Sequence, residues 1–299
     1  MIIVRVFEIP PRPAAATALA LTLAAASLTG CAAPAGSTDP AGAGGPQVVA
    51  SFYPLQWLAQ EIAGAQVPVA SLTPAGAEPH DAELELSQVS ALGQADLLVT
   101  LAGFQAAVDD AVAANPPAQA LDLGPIVGLE GDDPHFWLDP TRLALAADPI
   151  AEALAEADPP GAAGYRERAE GVRAQLAELD SELAAGLAPF AGAPLVTTHA
   201  AFNYFAARYN LVQLAVSGID PEAEPTPARL AEVKQQIGDL PVATIYFEEL
   251  ASPKTAEAIA GDLGLATGRL DPIETDSGGG YLAAMRSNLA ALEAGLVQP

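Results

Sequence analysis

From Gln47 onward, short apolar runs alternate with segments whose apolar residues recur every three or four positions. Val48–Ser51 reads as a strand. In the following "FYPLQWLAQEIAG", Leu55, Leu58, Ala59 and Ile62 share one helical face. Pro54 suits that helix's first turn, where a missing N–H costs nothing, and Gly64 suits its end. The alternation continues with "VPVASL" as strand, "SQVSALGQA" as helix, "DLLVTLAG" as strand and "FQAAVDDAVAAN" as helix. Residues 160–188 depart from it. Tyr165, Ala169, Val172, Leu176, Leu179 and Leu183 step by fours and threes, which predicts one long amphipathic helix, ~43 Å if continuous, although Gly171 and Gly186 weaken its propensity. The alternation then resumes: "PLVTT", "LVQLAV", "VATIYF" and "ATGRLDP" as strands, with helices over "AFNYFAARYN", "TPARLAEVKQQIGDL", "SPKTAEAIAGDLG" and "YLAAMRSNLAALEAGL". Thr226-Pro227 and Ser252-Pro253 read as N-cap and first-turn pairs. The last helix is expected to bury Leu282, Met285, Leu289, Leu292 and Leu296. Strands alternating with helices imply parallel sheets with crossover helices. The expected class is α/β: two parallel-sheet lobes, 47–158 and 190–299, joined by a linking helix at 159–189.

The first 46 residues follow a different pattern. Arg5 and Arg12 supply a positive start, and Ala14–Leu28 is a run of small and apolar residues too short for a confident membrane span. The run ends in Leu28-Thr29-Gly30-Cys31, which resembles a bacterial lipobox, and Cys31 is the sole cysteine. Residues 1–31 therefore read as a lipoprotein signal peptide with Cys31 as the lipid attachment site. Residues 32–46, "AAPAGSTDPAGAGGP", read as a flexible tether. The expectation is a domain held to the outer face of the cell membrane by its lipid alone. No cysteine pair exists to form a disulfide.

Composition narrows the partners. Hydrophobic residues make up 51% of the 299-residue chain, enough for a sizeable core. Asp and Glu number 37 against 12 Lys and Arg, a net charge of −25. Without residues 1–31, which carry Arg5, Arg12 and Glu8, the balance is one unit more negative. Such a surface disfavours nucleic acid and anionic lipid and attracts cations over long range.

Only three histidines occur: His80, His135 and His199. All fall in predicted loops, beside Pro, Asp or Thr. His80 and His199 follow strands. In open α/β sheets, ligands bind beyond the carboxyl ends of strands. Two of these loops belong to the first lobe and one to the second, so a shared site lies between lobes. Three imidazoles with one carboxylate make a tetrahedral zinc shell. Pro134 and the Asp139-Pro140 helix start restrict the backbone on either side of His135. Trp137 reads as a packing residue. Asp139 reads as an N-cap, with a bond to a ligand histidine as the alternative. Glu248 and Glu249, at the end of "IYFEEL", are either interlobe groups or solvated carboxylates. The H-E-x-x-H motif of zinc hydrolases is absent.

The stretches "SFYPLQWLAQEIAG", "PAGAEPHDAELELS", "QADLLV", "DPHFWLDP", "THAAFNYFAARYNL", "EPTPARLAEV", "IYFEEL", "LDPIE" and "YLAAMRSNLAAL" together resemble the zinc/manganese-type solute-binding lipoproteins of ABC transporters, over essentially all of 47–299. The resemblance implies a metal held between two α/β lobes that are joined by a long rigid helix. It places ligands on His80, His135 and His199, with Glu274 of "LDPIE" as the fourth and Asp271 and Asp276 as alternatives. It implies capture of Zn²⁺ and delivery to an ABC permease by a monomeric receptor that is not an enzyme, with Mn²⁺ as the alternative cargo. A zinc hydrolase and a surface adhesin are more distant alternatives. His199 favours zinc, because manganese-type members tend to carry an acid there and imidazole suits zinc better than manganese. Zinc-type members often carry a long His/Asp-rich loop before the second ligand. Here that loop shrinks to "GLEGDDP", with Glu130, Asp132 and Asp133 but no histidine, so a metal-collecting role for it is not expected.

Overall fold

The computed structural model describes residues 45–299 apart from Glu222, Glu224 and 249–252. The leader, Cys31, nearly all of the tether, Glu249 and Ser252 therefore lie outside the described residues. The first lobe is built from β1 (Val48–Ala50), α1 (Tyr53–Ala63), β2 (Val69–Ser71), α2 (Leu86–Gln94), β3 (Leu97–Thr100), α3 (Ala106–Ala114), β4 (Ala120–Asp122) and α4 (Gly124–Val127). A 3-10 turn at Phe136–Leu138, α5 (Pro140–Leu145) and α6 (Ala147–Ala157) lead to the long helix α7 (Ala162–Leu187). The second lobe holds β5 (Pro194–Thr197), α8 (Asn203–Arg208), β6 (Val212–Ala215), α9 (Pro227–Gly238), β7 (Thr244–Phe247), α10 (Lys254–Leu263), β8 (Ala266–Arg269) and α11 (Tyr281–Gly295).

Each lobe is a four-stranded parallel sheet. The strand orders are β2-β1-β3-β4 and β6-β5-β7-β8, the same crossover plan used twice. A continuous core links the lobes. It runs from Val48 and Val99 of the first sheet through Leu143, Ile150 and Leu154 to the buried face of α7, and on to Met285 and Leu292 of α11. Smaller clusters cover the outer sheet faces, Val49, Leu72, Leu92 and Leu98 in one lobe and Val196, Val233, Ile245 and Ile259 in the other.

Helix α7 has 26 residues, about 39 Å at 1.5 Å per residue. Its buried side is the predicted stripe, extended by Leu187. It packs on α1, α5 and α6 and also on α11, so both lobes rest on it. Arg168 of α7 donates to the carbonyls of Ile62 (2.7 Å) and Ala63 (3.0 Å), satisfying the otherwise open end of α1. No helix among the described residues is long and apolar enough to cross a membrane.

Several elements differ from the sequence pattern. Strand β4 and helix α6 go beyond the segments the periodicity picked out. Thr226 caps α9, its hydroxyl accepting from Arg229 N–H at 3.2 Å. Pro253, by contrast, stands at the N-cap position of α10 rather than in its first turn. Helix α11 buries Tyr281, Ala284, Met285, Asn288 and Leu292, while Leu282 and Leu289 are only partly covered. Its true face is rotated from the leucine stripe because two polar residues, Tyr281 and Asn288, hold interior hydrogen bonds.

Candidate metal centre

Three of the four ligand candidates sit on connections that leave the carboxyl ends of strands, and His135 lies in the loop after α4. His80 lies between β2 and α2, and His199 two residues past β5. His135 immediately precedes the 3-10 turn, and Glu274 lies between β8 and α11. These four connections meet. One donor atom from each of His80, His135, His199 and Glu274 lies within 4.8 Å of the others. His80 Nε2 is 3.3 Å from both His135 Nε2 and Glu274 Oε1, and His135 Nε2 is 3.0 Å from Glu274 Oε1. Donors at about 2.0–2.1 Å around a tetrahedral zinc are about 3.3 Å apart, so this part of the cluster already has that spacing. His199 Nε2 is buried with no hydrogen-bond partner. A buried polar atom with nothing to bond is uncommon and calls for an explanation; an ion at the centre of the cluster supplies one.

Carboxylates behind the rings fix which nitrogen faces inward. His135 Nδ1 donates to Asp133 Oδ1 at 2.7 Å, and its backbone N–H donates to the same oxygen at 3.0 Å. Asn203 Nδ2 holds the other Asp133 oxygen at 2.9 Å. His199 Nδ1 donates to Glu248 Oε1 at 2.5 Å. Strands β5 and β7 are paired neighbours, so their ends deliver His199 and Glu248 side by side. With Nδ1–H committed outward, Nε2 is the nitrogen left facing the cluster, able to coordinate an ion. The His80 loop is braced from below: Gln105 Nε2 donates to Pro79 O (3.1 Å) and Thr73 Oγ1 (2.9 Å).

The acids of "LDPIETD" divide their work. Asp271 folds the loop, accepting from Ile273 N–H at 2.7 Å and Ser277 Oγ at 2.6 Å. Asn288 brackets its backbone from both sides, donating to Asp271 O (2.7 Å) and accepting from Asp271 N–H (2.8 Å). Asp276 accepts from Gly278 N–H at 3.0 Å. Glu274 joins the histidine cluster and is almost fully buried, whereas Asp271 and Asp276 are not part of it.

The cluster is strongly polarised. Burial opposes charge on Glu274, but hydrogen bonds from His135 and His80 and the positive field of His135 and His199 hold its carboxyl well below the usual range. Burial likewise opposes charge on His135, yet hydrogen bonds to Asp133 and Glu274 raise it from 6.5 to about 9. Burial and the charge of Glu274 push Glu78, whose carboxylate accepts from His80 N–H at 3.1 Å, up to about 8. Without a metal, a proton on His135 thus balances part of the negative charge gathered here.

Asp133 reads in the sequence as part of the shortened acidic loop, yet it holds His135; its only signal is its place two residues before the histidine. Glu248 takes the interlobe role that the sequence left open for it: the pairing of β7 with β5 brings it against His199. Asp139 has the simpler of its two roles. It caps α5, accepting from Thr141 N–H (2.9 Å) and Thr141 Oγ1 (2.7 Å). Trp137 is fully buried as a packing residue should be, and its indole N–H also donates to Pro272 O at 2.7 Å.

A two-lobed α/β molecule with three imidazoles and a carboxylate closed between its lobes has the make-up of a metal-capturing receptor. Residues 48–295 match the family described as zinc-uptake complex component A, periplasmic (ZnuA), and the chain belongs to that family. It is 32% identical over 274 residues to the zinc-binding lipoprotein AdcA of Streptococcus pneumoniae, covering 82% of this chain and 55% of that one. The chain thus spans about half the length of several curated relatives it matches. It is 29% identical to the high-affinity zinc uptake system protein ZnuA of Bacillus subtilis over 278 residues, 84% of this chain and 87% of that one. Its fold is similar to the solved structure of the laminin-binding protein Lmb of Streptococcus agalactiae, described as bifunctional, with adhesin and metal transporting activity. The TM-score is 0.77 at 31% identity, over 84% of this chain and 99% of the other.

Proposed function

We propose that this chain captures Zn²⁺ outside the cytoplasmic membrane and hands it to an ABC permease. In this reading His80, His135 and His199 bind the ion through Nε2, Glu274 binds through a carboxylate oxygen, and a lipid on Cys31 keeps the monomeric receptor at the cell surface. The observation that carries the reading is the meeting of three inward-facing imidazole nitrogens with one carboxylate, two of the rings backed by carboxylates of their own. Membership in a zinc-uptake family supports it, as do relatives named for zinc binding and zinc uptake. Three neutral imidazoles and one carboxylate around Zn²⁺ leave the shell at +1, which Asp133 and Glu248 offset from behind. Glu274 occupies the position that a hydrolytic zinc site keeps open for water, so the arrangement favours capture over catalysis. Nitrogen donors favour zinc over manganese.

The test is a zinc titration of the purified protein against a chromophoric chelator, with elemental analysis of protein prepared without added metal. One zinc per chain is expected, with much weaker manganese binding. His80→Ala and His199→Ala should each lose most of the zinc affinity. Unchanged affinity in both variants would sink the four-ligand assignment.

A further inference from the structure

His135 belongs to the first lobe and Glu274 to the second, yet their donor atoms stand 3.0 Å apart. Two lobes held to that tolerance need a crosspiece near the site, and Trp137 reaches both. It lies two residues past His135, with its ring 5.1 Å from the imidazole, centroid to centroid. Its indole N–H donates to Pro272 O at 2.7 Å, two residues before Glu274. Its own carbonyl accepts from the Tyr281 hydroxyl at 2.6 Å, at the start of α11 and seven residues after Glu274. The loop carrying Glu274 is thus tied at both ends to a single residue of the other lobe.

The tie lies in a dry environment. Trp137 and Tyr281 are fully buried, as is Ile273 between Pro272 and Glu274. Phe52 and Phe104 pack against the indole at 5.0 and 6.2 Å. In such surroundings an unpaired carbonyl is costly, so Pro272 O stays on the indole. Ile273 has a φ of 58°, a left-handed conformation that β-branched residues rarely adopt. It persists here because Asp271 holds its N–H and the indole holds the carbonyl just before it. The backbone turns sharply at the residue preceding the carboxylate ligand.

We propose that Trp137 is a positioning residue that sets the Glu274 carboxylate against the three histidines. It acts through the Pro272 carbonyl and the Tyr281 hydroxyl rather than by touching the ion. This rests on the zinc reading above and adds a specific route by which the two lobes share one shell. Packing alone does not account for the arrangement. A phenyl ring would fill most of the indole's space but leave Pro272 O without its donor. The Glu274 loop would then drift, and a coordination bond of about 2.0–2.2 Å tolerates little drift.

The experiment is a double-mutant cycle on zinc affinity in the full-length protein, using Trp137→Phe, Glu274→Ala and the pair. Wild type is titrated first; if it fails to take up one zinc, the zinc reading falls and this inference falls with it. Given wild-type binding, Trp137→Phe should weaken zinc about 10–100-fold, the loss typical of groups that orient a ligand from behind. In the Glu274→Ala background the same substitution should change affinity by less than about threefold, because the group it positions is gone. Equal losses in both backgrounds would mean that Trp137 only supports the fold, and no loss in the wild-type background would mean that it does neither; either result overturns the proposal. Tyr281→Phe removes the second tie with little change in volume. It should show the same dependence on Glu274, and it decides the matter if Trp137→Phe does not fold. Cobalt in place of zinc gives an independent reading. Trp137→Phe should shift the visible d–d bands toward those of Glu274→Ala, and bands identical to wild type would count against the proposal.

Discussion

Asp133 and Asp139 both flank His135, and the structure gives them different tasks. Asp133 accepts from the ring of His135, while Asp139 caps α5. Asp133→Asn should therefore weaken zinc about 10–100-fold by releasing the imidazole. Asp139→Ala should leave zinc affinity nearly unchanged while costing about 1 kcal/mol of stability, the usual value of a lost cap. Chelator competition and denaturant unfolding on both variants separate the two; equal affinity losses would contradict the assignment. The pH dependence also belongs to single residues. In the zinc-free protein His135 titrates at about 9, because Asp133 and Glu274 outweigh its burial. Zinc must displace that proton, so between pH 6 and 8 the apparent affinity should rise about tenfold per unit through His135 alone. Titration at pH 6, 7 and 8, with proton release measured calorimetrically in buffers of different ionisation enthalpy, checks this; a flat affinity would refute ligation by His135. At this scale the sequence carried the members of the cluster and little of what surrounds them. Scarcity and loop placement exposed three histidines, and the motif "LDPIE" pointed to Glu274, with Asp271 and Asp276 beside it as alternatives. Asp133 and Gln105 are hidden in the sequence and Glu248 is left with two readings, because their roles depend on which strand ends lie side by side and which rings face inward.

At the scale of elements, α7 was legible because its inward positions are nearly all apolar at helical spacing. Strand β4 was not, since "ALD" is a three-residue edge strand with no fully buried position. Helix α11 misled for the opposite reason: a stripe of leucines lies beside its true face, and Tyr281 and Asn288 occupy interior places through hydrogen bonds that periodicity does not register. The two glycines of α7, equivalent in propensity, also part company. A methyl group at Gly171 would meet nothing within 4 Å, whereas at Gly186 it would come within 2.7 Å of Glu293 Oε1 and 2.8 Å of Leu289 Cδ1. Gly171→Ala should stabilise the protein by about 0.5–1 kcal/mol, through helix propensity and a less flexible unfolded chain. Gly186→Ala should give no gain, because Leu289 has to move aside where α11 crosses α7. Denaturant melts of the two variants measure the difference; a gain at Gly186 matching that at Gly171 would mean that the α7–α11 contact yields easily.

For the whole molecule, the decisive feature is that one apolar cluster runs through both lobes and the linking helix. A core shared in this way should make the chain from Gln47 to Pro299 unfold in a single cooperative step, with zinc and protons acting on that step together. Zinc bound only by the folded state adds stability that grows with its excess, about 4.1 kcal/mol at a thousand times Kd. Protons act in two senses on the zinc-free protein. His135 is raised from 6.5 to about 9, so its contribution is complete below about pH 6.5 and disappears as pH climbs through 9. Glu274 is lowered, so its contribution is present above the ordinary carboxylate range and disappears on acidification. From pH 6 to 8 the zinc-free protein therefore loses support from His135, while zinc, displacing that proton ever more easily as pH rises, binds more tightly. The gap in Tm between zinc-loaded and zinc-free protein should widen steadily over this interval. Scanning calorimetry at pH 6, 7 and 8, with the same excess of free zinc, measures that gap directly. A constant gap would mean that zinc displaces no proton from His135, and two separate transitions would mean that the lobes do not share a cooperative core.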